Sequence, residues 1–162
     1  MPIKNLLTKP IETMLAQAAA AELYAAHLYQ HIGNQMQFQG WFGAQKFFLA
    51  ESSSERGHYQ RLVDFANQRG SWLPVPAVPA IDETVGSLGD ALQVAYDTEV
   101  QLGQDYEAWH EECRCPTTRQ FLLSYLEEQR TSVGEISDLI SRLERCGTDK
   151  GAMLTFDQEL GA

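Results

Sequence analysis

The stretch Phe48-Leu49-Ala50-Glu51-Ser52-Ser53-Ser54-Glu55-Arg56-Gly57-His58-Tyr59-Gln60-Arg61-Leu62-Val63-Asp64-Phe65 decides the fold. Read at alternating steps of three and four, Phe48, Glu51, Glu55, His58, Leu62 and Phe65 share one side of a helix. The ends of that side are apolar, so it faces a core. Its middle carries carboxylates and an imidazole. Burying such groups unpaired costs several kcal/mol, and a bound metal ion is the first candidate for compensation.

The same helical period extends outward on both sides, and no strand-like alternation persists. A first helix is expected from about Pro10 to Gln37, stopped at Gly40, with the inward seam Leu15, Ala18, Glu22, Ala25, Tyr29. A second runs from about Trp41 to Gln68. The segment 71–80 then holds Pro74, Pro76 and Pro79, which makes it an extended connector long enough to run the height of a bundle and join two parallel neighbours. The third helix is expected from Ser87 to Glu112, with the seam Leu88, Leu92, Ala95, Glu99, Leu102, Tyr106, Trp109. The fourth is expected from Thr117 to a stop at Gly147, with Leu122, Tyr125, Gln129, Ser132, Ile136, Leu139, Leu143. Lys150 to Leu160 suits a short fifth helix. Short, long and short connections specify an all-α four-helix bundle with one long crossover between helices two and three, in a single domain spanning 1–162.

Each seam turns polar near its middle: Glu22, then Glu55 and His58, then Glu99, then Gln129 and Ser132. Glu22 and Glu99 occupy corresponding places, and Glu55/His58 and Gln129/Ser132 share one spacing. Together they form one layer. Three carboxylates and an imidazole cannot sit there dry and charged, because like charges repel and desolvation is costly. Two divalent cations would neutralise them, and an oxygen-rich set with one His suits non-haem iron or manganese better than structural zinc. Glu55 is the natural bridging carboxylate. Glu22 and His58 complete one site, and Glu99 holds a second, weaker one. Tyr29 and Tyr106 lie seven residues after Glu22 and Glu99, on the same faces. A phenol there can hydrogen-bond a ligand carboxylate or supply an electron to oxygen. His27, His31 and His110 lie off the layer and read as surface or interface residues; Trp41, Trp72 and Trp109 read as packing.

The rest of the composition excludes several classes. Among 162 residues the net charge is −10, which argues against nucleic acid and suits attraction of cations. No run approaches the ~20 apolar residues of a membrane span, and no signal peptide is expected. Three cysteines, with Cys113 and Cys115 flanking Arg114, suit free thiols in a reducing cytoplasm.

Four blocks carry a family resemblance: Glu22-Leu23-Tyr24-Ala25-Ala26-His27-Leu28-Tyr29, Glu55 to Leu62, Tyr96-Asp97-Thr98-Glu99, and Phe121 to Gln129. They resemble the motif blocks of the non-haem ferritins, bacterial type, and Leu154 to Leu160 resembles that type's fifth helix. The resemblance implies a ferroxidase centre in each subunit that binds two Fe and no haem. Glu22, Glu55, His58, Glu99 and Gln129 fall on its metal ligands, and Tyr29 on its catalytic centre tyrosine. It further implies oxidation of Fe(II) by dioxygen or hydrogen peroxide, and a cytoplasmic homo-oligomeric cage of 24 subunits that stores ferric mineral.

There are departures. The acids of a third iron site in such ferritins are replaced by Ser54, Thr131 and Ser132, and only Glu128 remains. Glu51, one turn before Glu55, is a candidate for lining the path of iron, with Glu135 on the face of Glu128. A haem bacterioferritin is disfavoured, because helix four lacks a second Glu-x-x-His and Arg56 stands at the haem-ligand Met position. A rubrerythrin would need more Glu/His ligands, and a mini-ferritin would build its site between subunits. A structural subunit without ferroxidase activity would have lost the ligands that this chain keeps.

Overall fold

The computed structural model describes residues 3–162 and, among them, five helices and no strand. They are α1 (Lys9–Gln39), α2 (Phe42–Gln68), α3 (Leu88–Glu112), α4 (Pro116–Cys146) and α5 (Lys150–Leu160). Local chemistry sets the ends. Pro10 and Pro116 stand in first turns, where a missing N–H costs nothing. Gly40 ends α1 at φ 87°, a left-handed conformation that side chains resist, and the N–H groups of Gly40 and Trp41 bond back to the carbonyls of Gln37 (3.1 Å) and Met36 (2.9 Å). Ser87 caps α3 by accepting from the Asp90 N–H at 3.1 Å, and Asp149 caps α5 by accepting from Ala152 at 2.9 Å.

α1 pairs with α2, α3 pairs with α4, and α1 packs on α3. Tyr29 meets Glu99 and Tyr106 meets Glu22, so α1 and α3 run antiparallel. α2 also runs against α1, because Gly40 turns the chain back and Ser52 bonds the Ala26 carbonyl at 2.7 Å. The crossover therefore does join parallel helices, but across the bundle diagonal and not as neighbours, since α3 rests on α1 and α4. The far end of the crossover is latched to α1: Gln35 and His31 reach the Glu83 carbonyl at 2.9 and 2.8 Å, and Gln39 reaches that of Val85 at 2.7 Å. His31 is thus a connector anchor. Trp41 and Trp109 pack against the core as expected, whereas Trp72 is 72% exposed, because the extended connector has no second layer over it.

The core divides in two. Tyr29, Ile32, Met36, Phe48, Leu88, Leu92 and Ile136 fill one half, and Leu15, Ala18, Leu62, Phe65, Tyr106, Leu122 and Tyr125 the other. Each fully buried Leu contributes roughly 1.5–3 kcal/mol, which is what allows the bundle to carry a polar layer between the halves. α5 closes one end. Its buried Asp157 accepts from the N–H groups of Gly43 (3.0 Å) and Ala44 (2.7 Å) and so satisfies the open N-terminus of α2 from outside. Gly43 is required by this contact, because a Cβ there would sit 1.6 Å from the Asp157 carbonyl oxygen. Among the described residues no helix is long and apolar enough to cross a membrane.

Candidate metal centre

The four seams meet where the polar layer was expected. Glu22, Glu55, Glu99 and Gln129 are all buried, at 0, 1, 0 and 3% exposure, and His58 is half-buried beside them. One donor atom each from Glu22, Glu55 and His58 converge within 4.8 Å of one another. His58 Nδ1 is 3.0 Å from Glu55 Oε2 and 3.5 Å from Glu22 Oε2. Tyr125 steadies the imidazole: its hydroxyl donates to the His58 carbonyl at 2.7 Å, and its ring meets the imidazole edge-on at 6.0 Å. On the opposite side, Gln129 with its amide nitrogen turned toward α3 donates to Glu99 Oε2 at 2.7 Å and to the Glu99 carbonyl at 3.1 Å.

The tyrosines pair across the bundle. Tyr29 donates to Glu99 Oε1, and Tyr106 donates to Glu22 Oε1. Each phenol shares a face with its own helix's glutamate, yet bonds the glutamate of the other helix. Antiparallel helices set side by side bring residue 29 level with 99, and 22 level with 106.

The charges are mutually frustrated. Burial pushes the Glu55 carboxyl up to about 9, with the neighbouring Glu22 and Glu99 charges adding to it, and His58 only partly offsets this. Burial lifts Glu99 to about 7 against the Tyr29 hydrogen bond. His58 is disfavoured as a cation by burial, but Glu22 and Glu55 outweigh this and raise it to about 10. Glu22 alone is lowered: burial would raise it, and the hydrogen bonds from His58, Glu55 and Tyr106 prevail. Both tyrosines are held well above the ordinary phenol value, first by burial and then by the carboxylates they serve. Among the described residues, two buried carboxylate oxygens around His58 have no hydrogen-bond partner: Glu22 Oε2 and Glu128 Oε2. A buried carboxylate oxygen without a hydrogen bond is costly, and a cation between Glu22, Glu55 and His58 would satisfy that of Glu22.

Two carboxylates and an imidazole thus converge as a candidate metal site inside a four-helix bundle. A family profile described as "Ferritin: Ferritin-like domain" matches residues 12–146. The chain belongs to the ferritin family. It is 36% identical over 147 residues to a ferritin of Pacifastacus leniusculus, covering 86% of this chain and 81% of that protein. To a bacterial non-heme ferritin of Staphylococcus aureus (strain USA300) it is 26% identical over 160 residues, covering 97 and 96%. The ferritin fold itself is matched by the open-pore ferritin of the archaeon Archaeoglobus fulgidus at TM-score 0.93, with 24% identity and 98% of each chain covered.

The other residues expected near the site, Glu51, Ser54, Glu128, Thr131 and Ser132, are less buried than Glu22, Glu55, Glu99 and Gln129. Ser132 is only partly buried on α4, and Ser54 and Thr131 are exposed. Glu51 is half-buried, its carboxyl raised by burial and by the charge of Glu135. Glu128, the one surviving acid of the third-site pattern, is engaged elsewhere: Oε1 accepts from Arg61 Nη1 at 2.5 Å, while Oε2 lies 3.5 Å from His58 Nε2. Arg61 also donates to Ser124 at 3.1 Å and lies 4.5 Å over the Tyr125 ring. The spacing within α2 held a signal for this, because Arg61 is three residues after His58 on a face that α4 covers.

Proposed function

We propose that the chain is a ferroxidase and iron-storage subunit that takes two Fe(II) per subunit as substrate and oxidises them with dioxygen or hydrogen peroxide. Glu22, Glu55 and His58 hold the first iron. Glu55 bridges, and Glu99 with Gln129 holds the second more weakly. The observation that carries the reading is the convergence of two buried carboxylates, Glu22 and Glu55, with the His58 imidazole, where Glu22 Oε2 lacks a hydrogen-bond partner. Two Fe(II) held there would supply the electrons and, as Lewis acids, would bind the oxidant. The protein's own groups orient the ligands: Tyr106 fixes Glu22, Tyr29 and Gln129 fix Glu99, and Tyr125 fixes His58. Tyr29 is the catalytic tyrosine, an electron source beside the second iron.

Glu51, with Glu135 near it, lines the route by which iron reaches or leaves the centre. Family membership supports a cytoplasmic homo-oligomeric shell, with 24 copies and a ferric mineral as its content. Arg61 pairs with Glu128 Oε1, which works against use of that acid in a third iron site, so the site is absent or rebuilt. Anaerobic Fe(II) titration followed by admission of air tests the reading. Two irons per subunit are expected to oxidise within seconds, and no growth of ferric absorbance would leave a non-catalytic subunit. Iron-soaked crystals of Glu51→Ala with unchanged occupancies and kinetics would remove the route.

A further inference from the structure

The centre holds two phenols in equivalent chemical positions, and the reading above uses one. We propose that Tyr106 is a second electron donor to dioxygen, and that Trp109 carries the resulting hole out to a surface cavity. The proposal rests on the ferroxidase reading and extends it to residues which that chemistry does not require.

The electron count frames the inference. Two Fe(II) supply two electrons, whereas complete reduction of dioxygen to two waters takes four. Two phenols supply the other two: dioxygen, two Fe(II), two tyrosines and two solvent protons give two Fe(III), two tyrosyl radicals and two waters. Each tyrosine loses one electron and its hydroxyl proton. The dioxygen gains four electrons and takes up four protons, two of them from the phenols.

A phenol is oxidised readily only where a base takes its proton as the electron leaves. Tyr29 and Tyr106 both meet this condition, because each hydroxyl donates to a buried carboxylate at the centre, Glu99 and Glu22 respectively. The third tyrosine nearby does not. Tyr125 stacks on Tyr106 at 4.8 Å, but its hydroxyl donates to a backbone carbonyl, a poor base, and the Arg61 cation lies 4.5 Å over its ring. A positive charge over the ring opposes removal of an electron. The hole on Tyr106 is therefore kept off Tyr125.

The other aromatic neighbour is open to it. Trp109, one turn along α3, meets the Tyr106 ring edge-on at 5.1 Å. Trp109 lines a cavity of about 670 Å³ at the end of the bundle, with Ile11, Met14, Cys113 and Cys115. Among the described residues Tyr29 has no such outlet: its aromatic neighbour is Phe48, centroids 6.1 Å apart, which does not oxidise. In the cavity a small thiol gives one electron through Trp109 to Tyr106 and releases its proton to solvent, while the Tyr106 oxygen takes a solvent-derived proton back through Glu22. The thiol leaves as a thiyl radical, and two thiyls couple to a disulfide. The two phenols thus differ in function although their hydrogen bonds match. Tyr29 is a closed store, and Tyr106 is connected to the outside.

The test is a single-turnover reaction of the full-length assembled protein, loaded anaerobically with two Fe(II) per subunit and mixed with dioxygen. Freeze-quenched samples are read by electron paramagnetic resonance, and released hydrogen peroxide is assayed in parallel. The wild type is expected to show tyrosyl radical and release little peroxide. Tyr106→Phe keeps the ring and loses only the hydroxyl; it is expected to lose the Tyr106 share of the radical and to release peroxide. Trp109→Phe, which does not touch Glu22, is expected to prolong the Tyr106 radical and to slow its quenching by added dithiothreitol. If the wild type oxidises iron and Tyr106→Phe gives the same radical yield or the same peroxide, the proposal fails while the ferroxidase reading stands. An unchanged radical lifetime in Trp109→Phe removes the outlet. A wild type that oxidises no iron overturns the ferroxidase reading and this inference with it.

Discussion

The α1/α3 half of the centre and the α2/α4 half are built to opposite rules. In the first, the two helices contribute the same pair, a glutamate and a tyrosine seven residues on, and the pairs interlock by exchange: Tyr29 with Glu99, Tyr106 with Glu22. In the second, the shared spacing carries different chemistry. α2 presents Glu55 and His58, and α4 presents Gln129 and Ser132. The difference teaches where a symmetric scaffold becomes a directional site. The carboxylates common to both sides create the need for cations. The imidazole, present on one side only, sets Glu22, Glu55 and His58 apart as the cluster whose donor atoms converge.

The largest expected effect comes from removing Glu55, the residue proposed to serve both metals. Glu55→Ala should slow Fe(II) oxidation by more than about 100-fold, beyond the 10–100-fold typical of losing an outer-shell group. Stopped-flow absorbance after anaerobic loading measures it. A rate within a few-fold of the wild type would mean that the two halves act independently. Next comes the change that erases the asymmetry. Gln129→Glu together with Ser132→His restores the α2 pattern on α4, and should tighten the second metal by about 10–100-fold. Calorimetric titration should then show two sites of similar affinity in place of one strong and one weak.

How legible this was in the sequence differs between the halves. The polar layer could be read helix by helix, because a step of three and four identifies a face, and a glutamate on an apolar face is conspicuous: the burial of Glu22, Glu55 and Glu99 needed nothing more. The fold was legible for a related reason, since Gly40, Gly70, Pro116 and Gly147 break the periodic runs and the prolines of 74–79 forbid a helix between them. Partnerships across helices were not legible. The face of Tyr106 follows from its spacing to Glu99, but its bond to Glu22 depends on the depth at which α1 and α3 overlap, and that depth comes from packing. The Arg61–Glu128 pair and the Asp157 cap on α2 were hidden for the same reason. Trp72 was misread because a large aromatic on a connector has no periodicity to say which way it faces.

A third test uses protons to tell the halves apart. His58 is raised from 6.5 to about 10 and Glu55 from 4.5 to about 9, so the folded apo-protein holds protons that the unfolded chain has lost. A group whose folded value is raised stabilises fully below its unfolded value, and this is lost as pH rises through the folded value. Apo stability should therefore fall between neutral pH and about pH 10, seen as a lower denaturation midpoint. Glu22 is lowered and acts with opposite sign, at acid pH only. Divalent metal should abolish the alkaline loss by displacing the same protons, with proton release on binding measured in buffers of different ionisation enthalpy. Glu55→Gln should remove much of the slope in the apo-protein, whereas Gln129→Ala on the other half should leave it.

The smallest effect belongs to the edge of the α2/α4 half. Arg61 and Glu128 are 39 and 35% exposed, so their ion pair is screened by solvent and contributes about 1 kcal/mol or less to stability. Arg61→Gln should therefore shift the denaturation midpoint only slightly. Its consequence lies in chemistry. Without the guanidinium, Glu128 is freed within reach of His58 Nε2, 3.5 Å away, and the acid of the third-site pattern becomes available to a cation. An additional weak metal site in the titration of Arg61→Gln, absent from the wild type, would show that one arginine holds this half of the centre to two metals. An unchanged metal count would mean that Ser54, Thr131 and Ser132 already preclude a third.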